Sequence, residues 1–432
     1  MRRIFLIILA MLLLFTAVSC SPAIAEEQTT AEKTTEAAPK TLPQTSEEDA
    51  PSYPKVHQTV TWDDINAIPV ANADMSIEEI RKICIDFFRL QQTFQWTPSD
   101  QIDYVITTGE RDVSLKTGQV YAGLPYRSGN KTGNLYILME YYDPETGVLN
   151  VRKPTADFIV NIANNCIIGA YWGWGRAVNS IDFYMTSTLT AKHGCIPVGP
   201  YTYDTTIDSW SDAYGTTAVC KANGTQTMYE SYALLQPADG LNVHSPGGHV
   251  RMVSQAPVVV RNSDGTIDGK QSYLLYIDQG SSWETINEED GSKVSIQGDV
   301  DRKVTFNDLY KDGYVPFTFA EFLGLDPVEK ATASLDFNET NATIDNLNQA
   351  TITTNYGISN LYFELFDDQG NLIYTTNSHL FVYHQYSMSL SGLVKTAAVI
   401  RHLDADGVKA RVSTRVSTGE IITAWEGILV KS

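Results

Sequence analysis

Apolar and polar positions change period several times along this chain, and each change marks off a segment. Arg2 and Arg3 precede an apolar run from Ile4 that ends in small residues before Cys20. That run is shorter than the ~20 apolar residues needed to cross a bilayer, so residues 1–20 read as an export signal and not a spanning helix. Residues 21–56 are Thr, Glu, Ala and Pro with almost no large apolar group. Such a composition cannot bury enough surface to order itself, and it reads as a disordered acidic tether. Folded structure is expected from near Thr59. Ser76-Ile77-Glu78-Glu79 is a capping box, and Ile80, Ile83, Cys84, Phe87 and Phe88 follow at helical spacing. The pattern predicts a helix from Ile77 to about Gln92, with Cys84 on its buried stripe.

Farther along, one or two hairpins are expected between Asp103 and Tyr121, and Leu135–Asp143 reads equally as helix or strand. The stretch 161–180, NIANNCIIGAYWGWGRAVNS, reads as a buried, aromatic-rich helix with Asn164 and Asn165 at its cap and Cys166 in its first turn. Residues 183–230 are dominated by Gly, Thr, Asp and Tyr with few periodic runs, which predicts an inserted lid or binding loop. His249 then starts an apolar strand, HVRMV. A second strand, Ser272–Gln279, follows a turn rich in Asn, Asp and Gly, so the two form a hairpin with a long polar tip. Val315–Leu325 closes this part of the chain. From about Lys330 short alternating runs, among them NLYFELFD, KTAAVIRHL and IITAWEGILV, are separated by turn residues. They predict an antiparallel sandwich of immunoglobulin-like type without a Cys-Trp-Cys framework. The fold class expected is α+β over residues 57–328, followed by an all-β domain over 329–432.

The chemistry gathers around Cys166. A thiol at the first turn of a helix feels unpaired backbone N–H groups and the helix dipole, both of which favour the thiolate. His249 at a strand entry and Asp278 or Gln279 at the end of the next strand would complete a nucleophile, a base and an orienter. Cys195, beside His193, is the rival nucleophile, but Pro197 argues against a helix head there. His244 is expected in the turn before the strand, in a solvated or substrate-facing position. Trp172 and Trp174 either pack in the core or line a cleft.

These motifs resemble those of the NlpC-type cell-wall peptidases and the related CHAP amidases, which share a reduced papain-like fold. The family pattern is Asp-Cys-Ser-Gly at a helix head, then Gly-Asp and Gly-His-Val on core strands, then a polar residue one strand later. This chain has Asn165-Cys166-Ile167-Ile168-Gly169, Ala238-Asp239, Gly248-His249-Val250, and Asp278 or Gln279. Its Gly123–Asn130 segment resembles the family's tyrosine-bearing pocket segment, with Tyr126 in the matching place. The departures are Asn165 for Asp, Ile167 for Ser, and a longer gap to the histidine, which implies the insertion. The resemblance covers roughly residues 121–278 and implies a thiol hydrolase of peptide or amide bonds in peptidoglycan. In that reading Cys166, His249 and Asp278 or Gln279 are catalytic, and Tyr126 and Trp172 contact substrate. Loss of the chemistry would leave a binding or adhesion protein on the same scaffold. Retained chemistry on another substrate would target a protein crosslink or small amide.

Ala17-Val18-Ser19-Cys20 resembles a bacterial lipobox, which implies a lipidated Cys20 at the membrane. By analogy, one lipobox without a periplasm-style disulfide set implies a Gram-positive cell surface. The net charge of −20 argues against nucleic-acid partners. Stem peptides of peptidoglycan or another surface peptide are the expected partners, and a monomer is expected. Cys195 and Cys220 either pair or remain buried thiols. No metal or other cofactor is expected: the histidines do not group with carboxylates at ligand spacing, and 298–309 lacks the alternating acids and closing bidentate Glu of a calcium loop.

Overall fold

The computed structural model describes residues 61–69, 74–105, 112–126, 135–139, 141–151, 195–204, 215–244, 248–280, 283–287, 291, 293–325, 329–379, 386–403, 406–416 and 420–431. The signal with Cys20, the tether, the stretch carrying Cys166, Trp172 and Trp174, and most of 183–215 lie outside the described residues.

The first helix among the described residues is α1 (Trp62–Asn66), capped by Thr61. Helix α2 (Ile77–Thr93) starts where the capping box sets it, with Ser76 accepting from the Glu79 amide and Glu79 reaching back to the Ser76 amide. Its stripe of Ile80, Ile83, Cys84, Phe87 and Phe88 is buried, as the spacing requires. The strands that follow are β1 (Gln95–Pro98), β2 (Ile102–Val105), β3 (Asp112–Leu115) and β4 (Val120–Ala122). Strands β2 and β3 form the expected hairpin. Leu135–Asp143 resolves into both alternatives, a short helix α3 (Leu135–Met139) and then β5 (Tyr142–Asp143), which pairs with β6 (Val148–Leu149).

Two six-stranded sheets are built from this part of the chain among the described residues. The first takes β11 (Glu284–Asn287), β12 (Lys293–Ile296), β4, β1, β6 and β5 in that order and includes parallel pairs. The second carries His249. It runs β13 (Arg302–Thr305), β10 (Tyr273–Ile277), β9 (Gly248–Val258), β8 (Gly240–His244), β14 (Val315–Phe319) and β7 (Cys195–Pro197), every pair antiparallel. Strand β14 is buried along its whole length, with Phe317 and Phe319 fully enclosed. Close approach of the Phe317 ring leaves no room for a side chain at Gly240 on the neighbouring strand.

One expectation is overturned here. Residues 216–233, read as the end of an inserted loop, form α4 (Thr216–Ala233), which packs on β8, β9 and β14. Met228 and Tyr232 are fully buried on it, and Gly224 (φ 76°) kinks it. Cys195–Pro197 is likewise a sheet strand and not part of a lid. Cys220 is a buried free thiol bonded to the Tyr314 carbonyl, so a Cys195–Cys220 disulfide is not formed. Helix α5 (Phe306–Asp312) follows β13 and contacts α4.

A second hydrophobic cluster, distinct from the one that contains α2 and the two large sheets, begins at Leu335. It is covered by β15 (Ala333–Leu335), β17 (Thr351–Thr354) and β20 (Ser387–Ser389) in one sheet. The other sheet runs β16 (Asn341–Thr343), β22 (Ile421–Val430), β21 (Val408–Val416), β18 (Ile358–Phe366) and β19 (Leu372–His379). The pairing is antiparallel except between β16 and β22. Two short helical pieces interrupt the expected run of strands. One is α6 (Ile344–Gln349), capped by Thr343, and the other is α7 (Thr396–Val399), which lies in KTAAVIRHL, a segment read as a strand. Val399 and Leu403, four apart, are both buried, a helical and not an alternating spacing. At the level of class, the molecule is α+β.

Candidate functional site

The site is built where β9 begins and β10 ends. In an antiparallel pair, directly opposed residues share a face and neighbours along a strand alternate. Val243 opposes His249 and His244 opposes Gly248, so His244 and His249 project to opposite faces of the sheet. His244 is therefore not in a turn, as expected, but ends β8, half-buried on the other side, where burial lowers its basicity. Across to β10, Met252 opposes Ile277. Carrying that register one step further sets Asp278 opposite Arg251, on the face that holds His249.

There His249 Nε2 lies 2.8 Å from Asp278 Oδ2. The imidazole keeps 29% of its side-chain surface exposed while the carboxylate keeps 6%, so the ring is reachable and its partner is sealed. The backbone N–H of Asp299 donates to Asp278 Oδ1 at 3.0 Å, and Arg251 Nε donates to Oδ2 at 3.3 Å. Burial would raise the Asp278 carboxyl, but the hydrogen bond and charge of His249, the Arg251 charge and the Asp299 amide outweigh it and hold it below the ordinary carboxylate value. An ionised carboxylate only accepts, so Nε2 is the donor, and whenever the ring holds a single proton Nδ1 is the nitrogen without it.

Of the two candidates, Asp278 is the one that bonds His249. The Gln279 side chain turns away and donates to the Leu124 carbonyl. That bond has its own consequence, because Leu124 belongs to the segment that carries Tyr126. The Tyr126 backbone N–H donates to Gln297 Oε1 at 2.7 Å, the Gln297 carbonyl accepts from Gln92, and the Leu124 N–H reaches the Gln91 carbonyl at 3.1 Å. A set of buried glutamines thereby fixes the Gly123–Tyr126 strand of chain against helix α2 and the end of β10. Gly123 (φ 77°) is required at the bend, where a Cβ would stand 2.9 Å from the Gln92 carbonyl oxygen. Tyr126 is half-buried against the core cluster.

No family model matches the sequence, and no curated protein or solved structure matches the chain. The functional reading accordingly rests on the local geometry.

Of the residues singled out in the sequence, His249 and Asp278 are brought together, and Gln279 and Tyr126 are joined to each other through the Leu124 segment. Cys166 and Trp172 lie outside the described residues, as does Cys20. Asp239, which stands in the family's Gly-Asp position, is a buried structural partner that accepts from Arg81 at 2.7 Å and from Thr318 at 2.5 Å. Burial raises its carboxyl even against the opposing Arg81 charge. Cys195 opens an edge strand and not a helix, so it lacks the helix-head setting that favours a thiolate. Among the described residues no three His, Cys, Asp or Glu side chains group as a metal set. Sequence reasoning missed Arg251, Asp299 and Gln297. Only Arg251 left a signal, as a cation in an apolar strand two positions from the histidine and hence on its face.

Proposed function

We propose that the chain is a lipid-anchored cell-surface cysteine hydrolase that cleaves peptide or amide bonds in peptidoglycan stem peptides. Cys166 is the nucleophile, His249 the general base and Asp278 the orienter, on a papain-like domain followed by an immunoglobulin-like sandwich. The observation that carries this reading is the His249–Asp278 pair: a reachable imidazole whose Nε2 is tied to a sealed carboxylate, which leaves Nδ1 for a partner. That is what a thiol nucleophile needs from its partner.

In this mechanism Nδ1 of His249 takes the proton of the Cys166 thiol, and the thiolate attacks the scissile carbonyl. The imidazolium then returns the proton to the leaving amine, and water, deprotonated by the same nitrogen, releases the acyl group. Backbone N–H groups at the helix head stabilise the oxyanion, each worth on the order of 3 kcal/mol. Tyr126, fixed by Gln297 and Gln279 through its own segment, supplies a wall for the substrate. The sandwich reading of the C-terminal part is supported by its three- and five-stranded sheets and their shared apolar cluster.

The chain from Ser21 onward, incubated with purified peptidoglycan, should release soluble muropeptides, and Cys166→Ala should reduce release to background. Equal release by both proteins would remove Cys166 from the chemistry. No release by either would favour a binding protein on the same scaffold.

A further inference from the structure

We propose that Arg251 is the positioning residue of the His249–Asp278 pair: its guanidinium, in contact with the rings of Tyr276 and Tyr314, holds the orienting carboxylate in place and keeps His249 in its Nε2–H tautomer. The inference deepens the reading of His249 as the base and rests on it for its catalytic consequence, but the geometry it starts from is independent of Cys166.

Arg251 lies two residues after His249, on the same face of β9. Its Nε reaches the oxygen of Asp278 that also faces the histidine. Its guanidinium carbon stands 4.2 Å from the centroid of Tyr276 and 4.4 Å from that of Tyr314, so two aromatic rings are in cation–π contact with it. Both rings are tied into the site. The Tyr276 hydroxyl donates to Asp299 Oδ2 at 2.8 Å, and Arg302 holds Asp299 at 2.8 Å. Tyr314 meets the His249 ring edge-on at 6.5 Å. Arg251 Nη1 is buried with no hydrogen-bond partner among the described residues. A guanidinium kept under-bonded in a buried place is a poor device for stability alone, since an unsatisfied charged donor costs free energy. Its directed bond goes to the carboxylate of the pair.

Removing the guanidinium leaves Asp278 with the Asp299 amide and His249, and takes away the one cationic side chain that bonds its carboxylate besides the histidine among the described residues. The carboxylate would turn more easily and bind a proton more readily, and the Nε2–H preference would weaken. Lysine keeps the charge but not the planar fork.

The test is nitrogen-15 NMR of the full chain with labelled histidine, with the His249 signals assigned through His249→Gln. The wild type is expected to show Nε2–H and unprotonated Nδ1 at neutral pH. Arg251→Met and Arg251→Lys are expected to show a mixed tautomer population. Muropeptide release by each is expected to fall at least about tenfold in kcat with little change in KM, and its acidic limb to move relative to the wild type. If Arg251→Met does not fold, Arg251→Lys, which keeps stem and charge, decides by the same signals. A folded Arg251 variant with the wild-type tautomer and an unmoved pH profile overturns the proposal. A wild type without hydrolytic activity but with the tautomer shift in the variants would sink the enzyme reading and leave the positioning role standing.

Discussion

Asp278 is held under two opposed demands, burial that favours its neutral form and a ring of donors that favours its charge, and the donors win. This has a measurable consequence in stability. A carboxyl whose folded pKa lies below its unfolded value of about 3.9 contributes stability that is complete above that value and disappears as pH falls through the lower folded one. Asp278→Asn removes the contribution. In urea unfolding the wild type should therefore exceed the variant near neutral pH, and the gap should close below about pH 4. A gap that persists unchanged to pH 2 would mean that the carboxylate charge is not what matters. Activity should fall by about 10²–10⁴ in the same variant, because the amide no longer enforces one tautomer. Cys84 and Cys220 define the opposite case. Both are buried, burial raises their thiols, that of Cys220 to about 12, and neither is a candidate nucleophile.

At the scale of elements, the end of β10 is set by what lies beneath it. Gly298 (φ 113°) sits against the backbone of Asp278 and Gln279, where a Cβ would come within 2.6 Å of the Gln279 Cα and 2.7 Å of Gln92 Nε2. Gly298→Ala should cost at least about 1–3 kcal/mol from backbone conformation alone and displace Asp278. Calorimetry and the hydrolysis assay should register the two losses together; a variant with wild-type melting and activity would show that the contact yields freely. Elements whose local chemistry agrees with their packing were legible in the sequence. Helix α2 was readable because Ser76 and Glu79 bond reciprocally and its apolar residues recur at helical spacing. The β9–β10 hairpin was readable from apolar runs either side of a polar tip. Helix α4 was not, because TTAVCKANGTQT has low helix propensity and a kink at Gly224, and it is held instead by burying Met228 and Tyr232. The choice between Asp278 and Gln279 was equally invisible. Adjacent residues at a strand end project differently, and only the register shows which one faces His249.

At the scale of the whole molecule, the described residues form two hydrophobic clusters, one drawn from α2, α4 and the two six-stranded sheets and one from the C-terminal strands. None of their helices is long and apolar enough to cross a membrane. For the proposed surface hydrolase, attachment comes from lipid on Cys20. Cys20→Ala should move the protein from the membrane fraction to the soluble fraction, and unchanged membrane association would contradict the anchor.

The proposed chemistry depends above all on His249 activating the thiol of Cys166. The rate of Cys166 alkylation by iodoacetamide, followed from pH 5 to 9 by mass spectrometry of the native chain, tests that activation most directly. An activated thiol should show rapid modification with a midpoint well below the ordinary value of about 8.5, a return toward that value in His249→Ala, and no labelling of Cys84 or Cys220. Slow modification of Cys166 with an ordinary midpoint, the same with and without His249, would contradict it.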